Sequence, residues 1–370
     1  MDRRSFLKAL GTTFAGCSLA SVVEAAIPSM YDASQRSSLS RMPSIKVIGI
    51  GRTGIGLMQS IPIGPDALAR HVQADYLSIR FDGRITRGIE PSDMEWTMPL
   101  DYHRWHEAAD DLHNVAAARQ KIPGMERELS AYVKDADFVL LLIGLDNAMS
   151  HACCDAVARI ARQSGALTVA LVGVPYGQST EDFSEESLLI ASHEAVNRIL
   201  RETDCVITSE GIWGGFAGES VSWNFGYPSL APSQLLSAIW AASTTGDSLD
   251  RLKRALSSSG KAIYGAGIGD SAREAIEDAL GEYQHRWFDS YEKATTAAAA
   301  IVIVSGHPKS VNIMLNQARI ELARTAPLKA PTLVGKPEML FLAVADDSLE
   351  IDGYFFVSII STGIEFAGEP

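Results

Sequence analysis

Apolar runs bounded by glycine or aspartate alternate along this chain with stretches in which apolar residues recur every three to four positions. Residues 44–50 (SIKVIGI) are β-branched and apolar and end at glycine, the pattern of a strand buried on both faces. Residues 51–56 read as a glycine-rich turn, with a helix expected after it. Residues 74–81, 137–144 and 165–174 read as further strands, the last halted by Pro175, and 205–208 as a short one. Between them, 153–164 places Val157, Ile160 and Ala161 on one helical face, and 184–202 is an amphipathic helix. Residues 211–232, rich in Gly, Ser and aromatics (Trp213, Trp223, Tyr227), read as a loop, and 233–243 as a helix. The remainder reads as a strand (262–269), a helix (271–286), a strand (297–306), a helix (311–325) and two strands (338–345 and 354–361). Strands alternating with helices predict an α/β fold with a parallel sheet covered on both faces, then a second, smaller α/β domain.

Composition agrees with a globular protein. Of 370 residues, 46% are apolar and 21% charged, enough chain for about two domains. Lys and Arg number 32 against 45 Asp and Glu, a net charge of −13. An acidic surface without a basic patch repels phosphate backbones, so nucleic acid is not an expected partner. Cys17, Cys153, Cys154 and Cys205 do not form a disulfide framework, and the last three read as small buried apolar residues.

The N-terminus adds a destination. Asp2-Arg3-Arg4-Ser5-Phe6-Leu7-Lys8 precedes a small-residue apolar stretch that ends Val23-Glu24-Ala25-Ala26. This resembles a twin-arginine export signal (residues 1–25), with cleavage expected after Ala25, followed by a Ser-rich linker over 26–43. Phe14-Ala15-Gly16-Cys17 loosely resembles a lipoprotein box. The expected location is the periplasm or cell envelope. An uncleaved signal would instead hold the protein to the inner face of the membrane.

Three groups of residues are candidates for chemistry. Gly49-Ile50-Gly51-Arg52-Thr53-Gly54 is a G-x-G-x-x-G directly after a strand. Such glycines let backbone amides approach a phosphate at a helix N-terminus, and Asp75 or Asp82 could meet a ribose hydroxyl. The same residues also suit a tight strand–helix turn with no ligand. His103, His106, Asp110 and His113 would share a face if 102–118 were helical, either as a Zn²⁺ or Cu²⁺ site or as a solvated polar face. His151, Cys153 and Asp155 lie close in sequence, but helical geometry does not converge them on one metal.

Blocks across residues 44–366 resemble the tubulin/FtsZ superfamily, in the family's order. They are Ile45 to Gly51, Thr86-Arg87-Gly88, Asp135 to Val139, Gly165 to Ala170, Ser257 to Gly269, Ile301 to Gly306, Asp346 to Leu349 and Ser361-Thr362-Gly363. The resemblance implies a nucleotide domain of parallel-sheet type (44–243) and a smaller C-terminal α/β domain (244–370). It also implies GTP or GDP as a possible ligand at Gly49, Gly51, Arg52, Thr53, Gly54 and Asp82, and Asp247 and Asp250 as candidate hydrolytic carboxylates.

The same comparison locates departures. The family's phosphate loop, GGGTGTG, falls on Asp146-Asn147-Ala148-Met149-Ser150-His151-Ala152, which contains no glycine. Counting back from Gly260, the hydrolytic positions fall on Ser248 and Arg251, so Asp247 and Asp250 need a one-residue shift. That pair also suits a helix N-terminus, which favours acids. The resulting expectation is an exported, FtsZ-like pseudo-GTPase that self-associates or acts as a scaffold with a protein partner, with no firm cofactor and weak or absent GTP hydrolysis. Two other readings are an active FtsZ-like GTPase and an exported NAD(P)-dependent oxidoreductase.

Overall fold

In the computed structural model, β1 (Ile45–Ile50) passes directly into α1 (Gly51–Ser60). β2 (Ala74–Ile79) and β3 (Ile85–Arg87) follow, then a 3₁₀ turn (Leu112–Asn114), α2 (Val115–Arg119) and α3 (Ile122–Val133). β4 (Phe138–Gly144), α4 (Ala148–Gln163), β5 (Leu167–Val174), α5 (Phe183–Glu202) and β6 (Cys205–Glu210) complete the first half. The second half has α6 (Leu230–Ser243), α7 (Ser248–Leu256), β7 (Lys261–Gly269), α8 (Ala272–His285), β8 (Ala294–Thr296) and β9 (Ala299–Gly306). It ends with α9 (Val311–Lys329), β10 (Glu338–Ala345), β11 (Phe355–Thr362) and β12 (Glu365–Phe366). The structure describes residues 42–61, 73–80, 82–88, 111–174, 183–210, 230–245, 248–258, 260–285, 294–329, 337–345 and 355–366. The export signal and most of the linker lie outside them. So do the loop over 211–229, His103, His106, Asp110 and Asp247. Residues 43–370 group as one compact unit.

One ten-stranded sheet runs in the order β10-β9-β11-β7-β6-β5-β4-β1-β2-β3. β2, β1, β4, β5 and β6 are mutually parallel. Their side chains are apolar on both faces because helices cover both. Strand β4, FVLLLIG, is buried at every position. Among the described residues, the two halves of the sheet join through two residue pairs, Val206–Lys261 and Ile207–Ala262. In the second half, β11 runs antiparallel between β7 and β9, and β10 is parallel to β9 at the edge.

Three apolar clusters hold the layers. Helices α3, α4 and α5 pack on one face of β1, β4, β5 and β6, through residues such as Leu129, Val157 and Ile199. On the other face, α1, α6 and α7 (Met58, Leu235, Leu252) cover both halves of the sheet, reaching Ile301 on β9 and Leu340 on β10. Helices α8 and α9 close the remaining face of the second half.

The element boundaries correct the sequence reading in places. Helix α4 begins at Ala148, five residues before the expected start. The helix over 102–118 on which the histidine stripe was conditional is, in its described part, a 3₁₀ turn and a five-residue helix. Helix α3 was not foreseen, and α7 only as a helix N-terminus at the Asp247–Asp250 pair. Their apolar residues are spaced for one buried face, but charged residues interrupt the runs.

Candidate functional site

Ile50, Ile79 and Ile143 are in register across β1, β2 and β4. The three loops that leave these strands therefore emerge at the same, carboxyl end of the sheet. They carry Gly51, the Asp82-Gly83 turn and Leu145-Asp146-Asn147, respectively.

The glycines of the first loop are required by packing. Gly51 has φ +75°, and a Cβ there would lie 2.6 Å from the Gly144 carbonyl and 2.7 Å from Asp146 Oδ1. A Cβ on Gly54 would lie 2.0 Å from the Leu142 carbonyl, and one on Gly49 would lie 3.1 Å from the Gly54 carbonyl. The G-x-G-x-x-G thus seats α1 against β1 and β4 and lets the β4–α4 loop approach β1. Arg52 and Thr53 fall in the first turn of α1.

Helix α4 starts at the position where the resemblance expects a phosphate-gripping loop. Two of its N-terminal amides, those of Ala148 and Ser150, are engaged from within the chain. The Asn147 side chain, as N-cap, accepts from Ser150 N at 3.0 Å, and Ser150 Oγ donates back to the Asn147 carbonyl at 2.8 Å. Ala148 N, the first amide of the helix, donates to Asp111 Oδ2 at 2.7 Å. Asp111 is oriented by a second bond, from Asn114 Nδ2 to Oδ1 at 2.8 Å. A helix N-terminus carries partial positive charge and free amides, so it attracts anions. Here a carboxylate of the chain fills that role.

Side chains pack the rest of this region. Met149 is 1% exposed and its Cε lies 3.0 Å from where a Cβ on Gly83 would stand. Lys121 lies over the same turn and donates from Nζ to the Asp82 carbonyl at 3.0 Å. Asp82 itself is exposed, and its carboxylate accepts from Arg84 N at 2.9 Å within the turn. Asp146 is nearly buried and accepts from the Asn147 side-chain amide. His151, also buried, sets its Nε2 3.2 Å from the Leu145 carbonyl. Burial holds this imidazole neutral, pushing its pKa down to about 4. Arg198 on α5 donates to the His151 carbonyl at 3.0 Å and pairs with Asp155 at 3.7 Å.

The hydrolytic candidates lie elsewhere. Asp250 is an exposed residue in the first turn of α7, where an acid complements the helix dipole. Arg251, at one of the family's hydrolytic positions, is committed internally. It donates to the Met339 carbonyl at 3.0 Å and approaches Glu338 at 3.5 Å.

Other candidates do not assemble into sites. Among the described residues no three His, Cys, Asp or Glu side chains could share a metal. His113 is exposed in the 3₁₀ turn. Cys153, Cys154 and Cys205 are buried, and burial pushes the thiols of Cys154 and Cys205 up to about 12 and that of Cys153 well above its usual value. No described helix is long and apolar enough to cross a membrane.

Sequence reasoning missed Asp111 and Lys121. Neither carries a local signal, because each acts on a loop 37 to 39 residues away. It missed Asn147 as a helix cap too, although an Asn three residues before the amide whose hydrogen bond it accepts is a local signal.

No family model and no curated protein matches the sequence. Solved structures do. An empty FtsZ dimer from M. jannaschii is 17% identical, with a TM-score of 0.62 over 91% of this chain and 97% of that one. The GTPγS-bound protofilament of CetZ2 from Haloferax volcanii is 15% identical, with a TM-score of 0.55 over 88% and 94% of the two chains. A GTPγS-form protofilament of TubZ from Bacillus thuringiensis is 14% identical, with a TM-score of 0.55 over 88% of each. At these identities the likeness is one of architecture, and it extends over nearly the whole length of both partners. The chain has the tubulin/FtsZ fold.

Proposed function

We propose that this protein is an FtsZ-like self-associating or scaffolding protein of the cell envelope, with weak or absent GTP hydrolysis. Its two halves would correspond to a nucleotide-type domain (44–243) and a C-terminal domain (244–370). The observation that carries the proposal is the Asp111 carboxylate on the first amide of α4. A triphosphate approaching this helix would meet one carboxylate bonded to the amide it needs and a second, Asp146, beside it. Each charge-assisted hydrogen bond lost is worth about 1–3 kcal/mol, so several together remove most phosphate affinity. Met149 adds bulk at a position inside the aligned loop.

Self-association is supported by the likeness to proteins solved as a dimer and as protofilaments. Export rests on the twin-arginine pattern of the N-terminus. It accords with a site that has lost its phosphate loop, since GTP is scarce outside the cytoplasm.

The test uses full-length protein purified from an export-competent host. Nucleotide released on denaturation is identified by mass spectrometry, and assembly is followed by sedimentation with and without GTP. The expected result is no stoichiometric nucleotide, and assembly that is independent of GTP. Near-stoichiometric GTP or GDP with phosphate release would establish the GTPase reading, and bound NAD(P) the oxidoreductase. Strictly monomeric protein at high concentration would refute self-association.

A further inference from the structure

We infer that the outer edge of β10 is a docking site for an extended acidic segment of a partner protein, added as an eleventh strand of the sheet. In the parallel pair with β9, Glu338 N donates to the Ala298 carbonyl, so Glu338, Leu340, Leu342 and Val344 direct their backbone groups inward. Met339, Phe341, Ala343 and Ala345 direct theirs outward. Among the described residues no strand pairs with that edge.

The edge is bounded at one end. The Arg251 guanidinium occupies the outward Met339 carbonyl, which leaves Phe341 to Ala345 available to a new strand. A free edge of apolar residues is a template for strand addition, in which backbone bonds supply affinity and flanking side chains supply selectivity.

The flanking groups select acid. Arg251 and Arg254 on α7 converge on the single carboxylate of Glu338, at 3.5 and 3.8 Å. On the opposite face, Arg319 of α9 lies 5.0 Å from the centroid of the Phe341 ring. Among the described residues in contact at this edge, three cations face one anion, in a chain whose net charge is −13. Alanines at 343 and 345 leave room for side chains of the incoming strand. A second copy fits less well. Like net charges repel, and five residues of edge bury far less than the roughly 800 Å² per partner of a stable dimer. This inference is independent of the nucleotide site.

The probe is the synthetic peptide acetyl-Asp-Thr-Val-Thr-Val-Thr-amide, titrated into the full-length protein while amide exchange is followed. Saturable binding below about 1 mM is expected, with slowed exchange at Phe341, Ala343 and Ala345. Ala343→Pro should abolish it, because proline removes an outward donor and leaves the β9 ladder intact. Arg254→Glu, on an exposed side chain, should weaken it about fivefold to tenfold. No saturable binding, or undiminished binding to Ala343→Pro, would overturn the inference. So would protection of these amides that rises with protein concentration in the absence of peptide, since the occupant would then be a second copy.

Discussion

Asp111 and Ala148 are 37 residues apart in sequence, yet the carboxylate of one accepts the first helical amide of the other at 2.7 Å. The bond ties the segment that precedes α2 to the N-terminus of α4. It places a negative charge of the protein's own where the dipole of a sixteen-residue helix is most positive.

Asp111→Ala should therefore lower stability by about 1–2 kcal/mol, the loss of a capping carboxylate and of its bond from Asn114. Denaturant titration measures this. Inorganic phosphate should stabilise the variant more than the wild type, because the vacated amide can then meet an external anion. Equal effects of phosphate on both proteins would show that Asp111 does not compete with anions.

Three glycines of one segment should respond differently to alanine. At Gly54 the new methyl meets the Leu142 carbonyl at 2.0 Å, which forces α1 off β4 and should cost about 3 kcal/mol or more. At Gly51 the positive φ adds about 1–2 kcal/mol of strain to a similar clash. At Gly56, inside α1 with nothing within 4 Å, alanine should stabilise by about 0.5–1 kcal/mol. Thermal unfolding should place Gly54→Ala and Gly51→Ala well below the wild type and Gly56→Ala above it.

His151 makes stability depend on pH. Its pKa is about 4 in the folded protein against 6.5 for the free side chain. Between these values the unfolded chain binds a proton that the folded chain refuses. The contribution is therefore complete above pH 6.5 and is lost as pH falls toward 4, by about 3 kcal/mol at most. A His151→Gln variant should lose less stability than the wild type between about pH 7.5 and about pH 4.5. Parallel urea titrations at the two pH values give the comparison.

Asp250 and its neighbour Arg251 should separate cleanly. Asp250→Ala should change stability by no more than about 0.5 kcal/mol, the value of an exposed helix-dipole contact, and should leave phosphate release unchanged at background. Arg251→Ala loses the bond to the Met339 carbonyl and a partly screened pair with Glu338, for about 1–2 kcal/mol. GTP-dependent phosphate release that falls in Asp250→Ala would assign that carboxylate to hydrolysis.

Most of the framework was legible because its signals are local. Strands β1, β4, β5 and β9 are predominantly apolar runs ending at or beside glycine or proline, and the expected boundaries agree with the observed ones to within about two residues. Helix α4 started earlier than expected because Ala148 to Ala152 mix small, polar and apolar residues. What makes them helical is the Asn147 cap and burial against the neighbouring helices. The short edge strand β3 and the interrupted helix α3 gave no comparable signal.

By itself the sequence determined the alternation of strands and helices and the absence of glycine from 146–152, since each depends on neighbouring residues, whereas 51–56, expected as a turn, form the start of α1. Tertiary structure alone decided what surrounds the start of α4 and the loops beside it. Asp111 supplies a carboxylate, Lys121 closes the Asp82 turn, Met149 packs beneath it, and Arg251 turns to β10. These contacts join residues tens of positions apart. Only the folding of the sheet brings them within bonding distance, and only there does an ordinary aspartate become the counterpart of a helix N-terminus.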